Sequence, residues 1–308
     1  MKKIIITLLI ALSFIALAVV CKNAFSYRIP IHNRGIREAV NQGNLDVLFV
    51  GSSTFRSNIS IELLDEKYDG RDYIIAYGGN RLAASDIQYD EIRNRSNSDI
   101  NLMVFELSPL MFTEDVSLSD SRVIWDLSWD GKKALYKKMK EAGNAGPAVT
   151  YEYFVTSGMD DLLTYPITEP FYATRYNKGA KTGEVISPGR DVLENAEFDI
   201  SDLQLVAAQE EAVIDLTEKA KRDNQPILFL ESPCYHRLTL DPTYLKCREH
   251  MINFINEHDV DCIYSTDVDF DNTNADFFED INHMSTSGKT EYTKLLLRKL
   301  DTFQTRKH

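Results

Sequence analysis

Two short strings, more than two hundred residues apart, hold the groups from which a nucleophile and its base can be assembled. One is Gly51-Ser52-Ser53; the other is Asp280-Ile281-Asn282-His283. A serine hydroxyl attacks a carbonyl carbon effectively only when a base takes its proton, and the base needs a partner that fixes its tautomer. The chain supplies the three groups in the order Ser, Asp, His. Asp280 stands three residues before His283, so its carboxylate can reach one ring nitrogen and leave the other facing a serine. The plainer alternatives are a capping Asp280 with an exposed His283, and serines that cap a helix.

Three more strings end in loops of suggestive chemistry. Tyr77-Gly78-Gly79-Asn80 offers backbone N–H groups that glycine lets approach closely, with the Asn80 amide as a second donor toward a developing oxyanion. It is equally good chemistry for a tight turn. Glu106-Leu107-Ser108-Pro109 and Glu231-Ser232-Pro233 resemble one another as strand exits, each stopped by a proline. Their acids read as buried carboxyls or strand-end acceptors with no assigned reaction.

These strings must be brought together by a scaffold, and the apolar runs suggest one. Leu45–Val50, Tyr73–Ala76, Leu102–Leu107, Pro226–Glu231 and Cys262–Tyr264 read as strands. Most are continuous rather than alternating, as parallel strands covered on both faces are. Helical patterns fall between them at 81–94, 202–222, 242–257 and 287–300, the second with Leu205, Ala208, Ala212 and Leu216 on one face. The alternation predicts a three-layer α/β domain with a parallel sheet. Catalytic groups then gather at the carboxyl ends of the strands.

The stretch from about 111 to 200 interrupts this rhythm. It is rich in aromatics, among them Trp125, Trp129, Tyr136, Tyr151, Tyr153, Phe154, Tyr165, Phe171, Tyr172 and Tyr176. It reads as an insertion whose rings either line a site for an acyl chain or glycan, or form a small core of their own.

The remaining features bound the function. A net charge of −13 argues against a nucleic-acid partner. No histidine or cysteine spacing suggests a metal, and no cofactor is expected. Cys234, Cys247 and Cys262 read as ordinary thiols. Lys2 and Lys3 precede an apolar run from Ile4 to Val20, near the lower end of the ~17–25 residues that span a bilayer. Residues 1–21 therefore read as a single-pass anchor, 22–43 as a juxtamembrane connector and 44–308 as an extracytoplasmic domain. The alternatives are a cleaved signal at Ala16-Leu17-Ala18 and a lipoprotein beginning at Cys21. The first lacks a polar segment before the small residues; the second has a bulky Val20.

Taken together, the strings resemble the SGNH (GDSL-like) hydrolase superfamily over roughly residues 45–107 and 226–300. The resemblance implies a flavodoxin-like sheet, Ser53 as nucleophile, His283 as base and Asp280 as its orienting acid. It implies an oxyanion hole from the N–H groups of Ser53 and of Gly78 or Gly79. The usual Gly-Asp-Ser is Gly-Ser-Ser here, and the expected Gly-x-Asn-Asp block is replaced by Glu106-Leu107-Ser108-Pro109, leaving Asn80 or Ser108 as substitutes. The anchor, Arg56 after the nucleophile and the Ser-Pro exit are similar to membrane-tethered envelope proteins, such as the D-alanyl transfer proteins of teichoic acid synthesis and relatives that accompany membrane-bound O-acyltransferases. That branch implies serine-dependent acyl transfer or ester hydrolysis on a cell-surface polymer or glycan, with Arg56 contacting its phosphate or carboxylate. The alternative is an inactive protein of the same fold that docks on a membrane O-acyltransferase or on glycan.

Overall fold

The structure, a computed structural model, describes residues 2–26, 35–96, 99–117, 121–156, 176–200 and 203–307. Five parallel strands form the central sheet: β1 (Val47–Gly51), β2 (Asp72–Ala76), β3 (Met103–Leu107), β6 (Ile227–Glu231) and β7 (Cys262–Ile263). Two short antiparallel strands, β4 (Tyr176–Asn177) and β5 (Ala180–Lys181), make a separate hairpin. The sheet order is β2-β1-β3-β6-β7. The chain runs from β1 to one side and then returns to the other, so the order reverses between β1 and β3. A crevice opens outside the carboxyl ends at such a point.

Strand periodicity explains the layers. Successive side chains point to opposite faces, and both faces of these strands are apolar. Leu48, Val50, Met103, Phe105 and Phe229 enter one core. Helices α4 (Leu82–Arg95), α6 (Ala207–Arg222) and α7 (Pro242–Glu257) cover that face. Val47, Phe49, Val104, Leu228 and Leu230 enter the other core. Over it lie α2 (Ser53–Asn58), α3 (Ile61–Tyr68) and α8 (Thr286–Lys307). This is a three-layer α/β fold.

Two boundaries differ from the sequence pattern. Leu205 is exposed and lies outside α6, because the chain before the helix is extended and Val206 N donates to Phe112 O at 2.7 Å. The stretch read as a connector enters the core by Gly35: Ile36 and Ala39 are buried, and Ile36 N donates to the Tyr77 hydroxyl at 3.3 Å.

Within the insertion, α5 (Trp129–Glu141) carries Tyr136 against Tyr153 and Phe154, while Trp129 meets Phe154 with its ring tilted by 55°. These rings do not form a separate core: Tyr153, with Leu135 and Met139, belongs to the core on one face of the sheet, and Tyr136 and Phe154 pack against it. The side chains of Trp125, Tyr165, Phe171, Tyr172 and Tyr176 lie outside the described residues.

At the N-terminus, α1 runs from Lys2 to Ser26, and its apolar side chains from Ile4 to Leu17 are largely exposed. Among the described residues no helix is long and apolar enough to cross a membrane; in α1 the described side chains are continuous over residues 3–18.

Candidate functional site

At the end of β1 the chain turns into α2. Ser52 is its N-cap: the backbone there is extended, and the Ser52 hydroxyl accepts from Thr54 N at 3.2 Å. Ser53 is then the first helical residue. The turn sits on Glu106, the penultimate residue of β3, which is 2% exposed. Glu106 Oε1 accepts from the Ser52 hydroxyl at 3.0 Å, and Oε2 accepts from Ser52 N. Gly51 makes this contact possible. A Cβ at that position would stand 2.5 Å from Glu106 Oε2 and 2.7 Å from the Phe55 ring. Burial pushes the Glu106 carboxyl above its usual range, against the opposing pull of the Ser52 and Thr54 hydrogen bonds and of His283.

His283 meets this turn from the loop ahead of α8. Its Nε2 lies 2.9 Å from Ser53 Oγ, and its Nδ1 lies 2.7 Å from Asp280 Oδ2. An ionised carboxylate only accepts, so the proton between the latter pair belongs to Nδ1, and Nε2 accepts from the serine hydroxyl. Asp280 Oδ1 also accepts from the backbone N–H of Asn282 and of His283, both at 2.8 Å. Burial alone would raise the Asp280 carboxyl, but the His283 hydrogen bond, its charge and the two backbone donors hold it below the usual carboxylate range. Ser53, His283 and Asp280 thus form one hydrogen-bonded line at the reversal point of the sheet.

The end of the insertion braces the loop that carries His283. Lys181 Nζ pairs with Glu279 at 2.7 Å, Thr286 N donates to Val185 O at 2.8 Å, and the Ser187 hydroxyl donates to Ala275 O at 2.7 Å.

Ser53 and His283 open on a cavity of about 170 Å³. Gly79, Asn80 and Ser108 reach its wall; Arg56 does not, and Gly78 is not part of it. Gly79 has φ +61°, a left-handed backbone that suits glycine. The expected amide donor from Asn80 is corrected. Asn80 Nδ2 donates to the Ser85 hydroxyl at 3.0 Å and to Gln88 Oε1 at 3.1 Å, so both amide hydrogens are committed to the start of α4. Arg56, expected as a substrate contact, does not line this cavity; another arginine stands in its wall.

That arginine is Arg81, which the sequence reading missed. Its Nη1 donates to Gly79 O at 2.7 Å and pairs with Glu114 Oε2 at 2.7 Å. Burial raises the Glu114 carboxyl to about 7, against the charge of Arg81. Leu110, Met111, Pro233, Cys234 and Tyr244 also line the cavity. None of the described insertion aromatics lines it.

Asn58 was missed too. It closes α2 and is fully buried. Its Oδ1 accepts from Met284 N at 2.8 Å, and its Nδ2 donates to Asn282 O at 3.0 Å. No local sequence signal marks it, because its partners are more than two hundred residues away. Among the described residues, no three His, Cys, Asp or Glu side chains gather as a metal site. Cys234, Cys247 and Cys262 are free thiols.

No protein-family model and no curated protein matches the chain. Solved structures do, among them that of a provisionally named acylhydrolase from Bacteroides fragilis. It is 10% identical, covers 85% of this chain and 88% of its own, and has a TM-score of 0.39. At that score the likeness carries no argument about activity.

Proposed function

We propose that this chain is an SGNH-like serine acyl-transfer enzyme or esterase, anchored in the cell membrane by its N-terminal helix and acting on an ester-bearing cell-envelope polymer or glycan. The observation that carries the reading is the Ser53–His283–Asp280 line opening on a cavity. Ser53 Oγ attacks the ester carbonyl carbon while its proton passes to His283 Nε2. The carbonyl π electrons move to oxygen, and the Ser53 and Gly79 N–H groups stabilise that oxyanion. Collapse expels the alcohol, which takes the proton from His283. An acceptor hydroxyl or water then attacks the acyl-serine by the reverse sequence, returning the proton to Ser53. Asp280 keeps the imidazole in the required tautomer and stabilises its charged form.

The cavity bears on the acyl group. About 170 Å³ is below the ~300–1,000 Å³ of pockets that enclose drug-sized ligands. A short acyl group fits against Leu110, Met111 and Tyr244, while the polymer stays outside. The apolar run Ile4–Val20, preceded by Lys2 and Lys3, supports the anchor and the extracytoplasmic placement of the domain.

The test compares acetyl and octanoyl esters of one alcohol. Turnover of the acetyl ester should exceed that of the octanoyl ester, and Ser53→Ala and His283→Ala should each remove on the order of 10³-fold or more of it. Full activity in both folded variants contradicts the mechanism. A second reading, an inactive docking protein of the same fold, is favoured by the inward-turned Asn80 amide. It predicts no turnover of either ester by the wild-type protein.

A further inference from the structure

Resting on this reading of the site, we infer that Asn58 is the positioning residue that sets the distance between the nucleophile and its base. The backbone around His283 has five polar groups to satisfy: the N–H and C=O of Asn282, both groups of His283, and the N–H of Met284. Asp280 Oδ1 takes the N–H groups of Asn282 and His283. The His283 carbonyl accepts from Glu279 N at 2.8 Å and Asp280 N at 3.3 Å. These bonds stay inside the loop and fix its shape, not its place. The other two, the Asn282 carbonyl and the Met284 N–H, go to one side chain, Asn58.

Asn58 belongs to the same six-residue helix as Ser53. Its amide pairs with the residues before and after His283 as a neighbouring peptide group would, one donor and one acceptor in register. The helix that carries the hydroxyl therefore grips the loop that carries the imidazole on both sides of the histidine. The bond to Met284 N is buried and the bond to the Asn282 carbonyl half-buried, so a lost partner there leaves a backbone group poorly satisfied. Ser53 is held from below by the Ser52–Glu106 contacts, so α2 is a fixed reference and Asn58 transfers its position to His283.

Chemistry at a nucleophile is steep in geometry: a displacement of about 1 Å costs on the order of 10²-fold. Asn58→Ala loses both bonds. Asn58→Asp keeps the shape and the acceptor for Met284 N, but an ionised carboxylate would face the Asn282 carbonyl. A buried carboxyl is pushed toward its neutral form, and the protonated acid can donate as the amide does.

The experiment is the rate of Ser53 modification by a fluorophosphonate, measured from pH 5 to 9 on the full chain and expressed per folded molecule. In this reaction the Ser53 Oγ–P bond forms, the P–F bond breaks, fluoride leaves and His283 takes the proton. Asn58→Ala should react on the order of 10²-fold more slowly than wild type, with a displaced pH midpoint. Asn58→Asp should fall between them and recover toward wild type as the pH drops. A merely structural asparagine would lower the melting temperature but leave the rate and midpoint of the folded fraction at wild-type values; that result overturns the proposal. So does failure of both variants to fold, which would make Asn58 a residue of the fold as a whole. If wild type itself is not modified at Ser53, the serine mechanism fails first, and the two failures are distinguishable.

Discussion

Strands β3 and β6 are hydrogen-bonded neighbours that leave the sheet through similar strings, yet their two acids do different work. The register pairs Leu107 with Glu231 and Glu106 with Leu230. That one-residue offset sends the carboxyls to opposite faces of the sheet. Glu231 faces α7, where Arg248 binds it bidentately at 2.8 and 2.9 Å, and Ser265 donates to it through N and Oγ, both at 2.9 Å. Glu106 faces α2, where its donors are the hydroxyl and the N–H of Ser52 and the Thr54 side chain and, among the described residues, no lysine or arginine pairs with it. One acid is paired and holds a helix; the other is left without such a partner and holds the turn that presents Ser53. A strand-end glutamate is therefore read from what its face brings to it, not from the string it sits in.

The largest effect that would break this comparison is on stability. Arg248→Ala leaves Glu231 buried without its cation and should cost about 3–5 kcal/mol, read by urea denaturation. The folded fraction should keep its Ser53 reactivity; a parallel loss of reactivity would show that both exits serve the site. Next is Glu106→Gln. The amide keeps one acceptor but presents an N–H where Ser52 donates, so the turn shifts. Fluorophosphonate modification of Ser53 should slow by about 10²-fold, equivalent to roughly 2.7 kcal/mol of activation free energy. An unchanged rate would make Glu106 structural, as Glu231 is.

The smallest effect is a pH slope. The Glu106 carboxyl is raised on folding from an ordinary value of 4.5. Its contribution to stability is fully present below that value and is lost as the pH rises through the folded one. The stability of wild type relative to Glu106→Gln should therefore decline with rising pH above about 4.5, in paired denaturation curves. A difference that grows with pH would contradict a raised carboxyl.

The scaffold was legible because each strand is a short apolar run whose alternate residues fill two separate cores. Ser53, Asp280 and His283 were legible as candidates because that reading depends on residue type and on a local spacing of three. What stayed hidden depended on distant partners or on facing. Asn58 looks like any polar helix end until residues 282–284 arrive beside it. Asn80 looks like a donor until α4 forms and turns Ser85 and Gln88 back onto its amide. Arg56 and Arg81 carry the same charge, and only the fold shows that Arg81 lines the cavity and Arg56 does not.

Whether Ser53 is a nucleophile activated by His283 is tested by labelling the wild-type protein with a fluorophosphonate and mapping the adduct by peptide mass spectrometry. One adduct is expected, on Ser53, lost in folded His283→Ala and strongly reduced in Asp280→Ala. An adduct on another residue, or labelling of Ser53 that is undiminished without the imidazole, would contradict it.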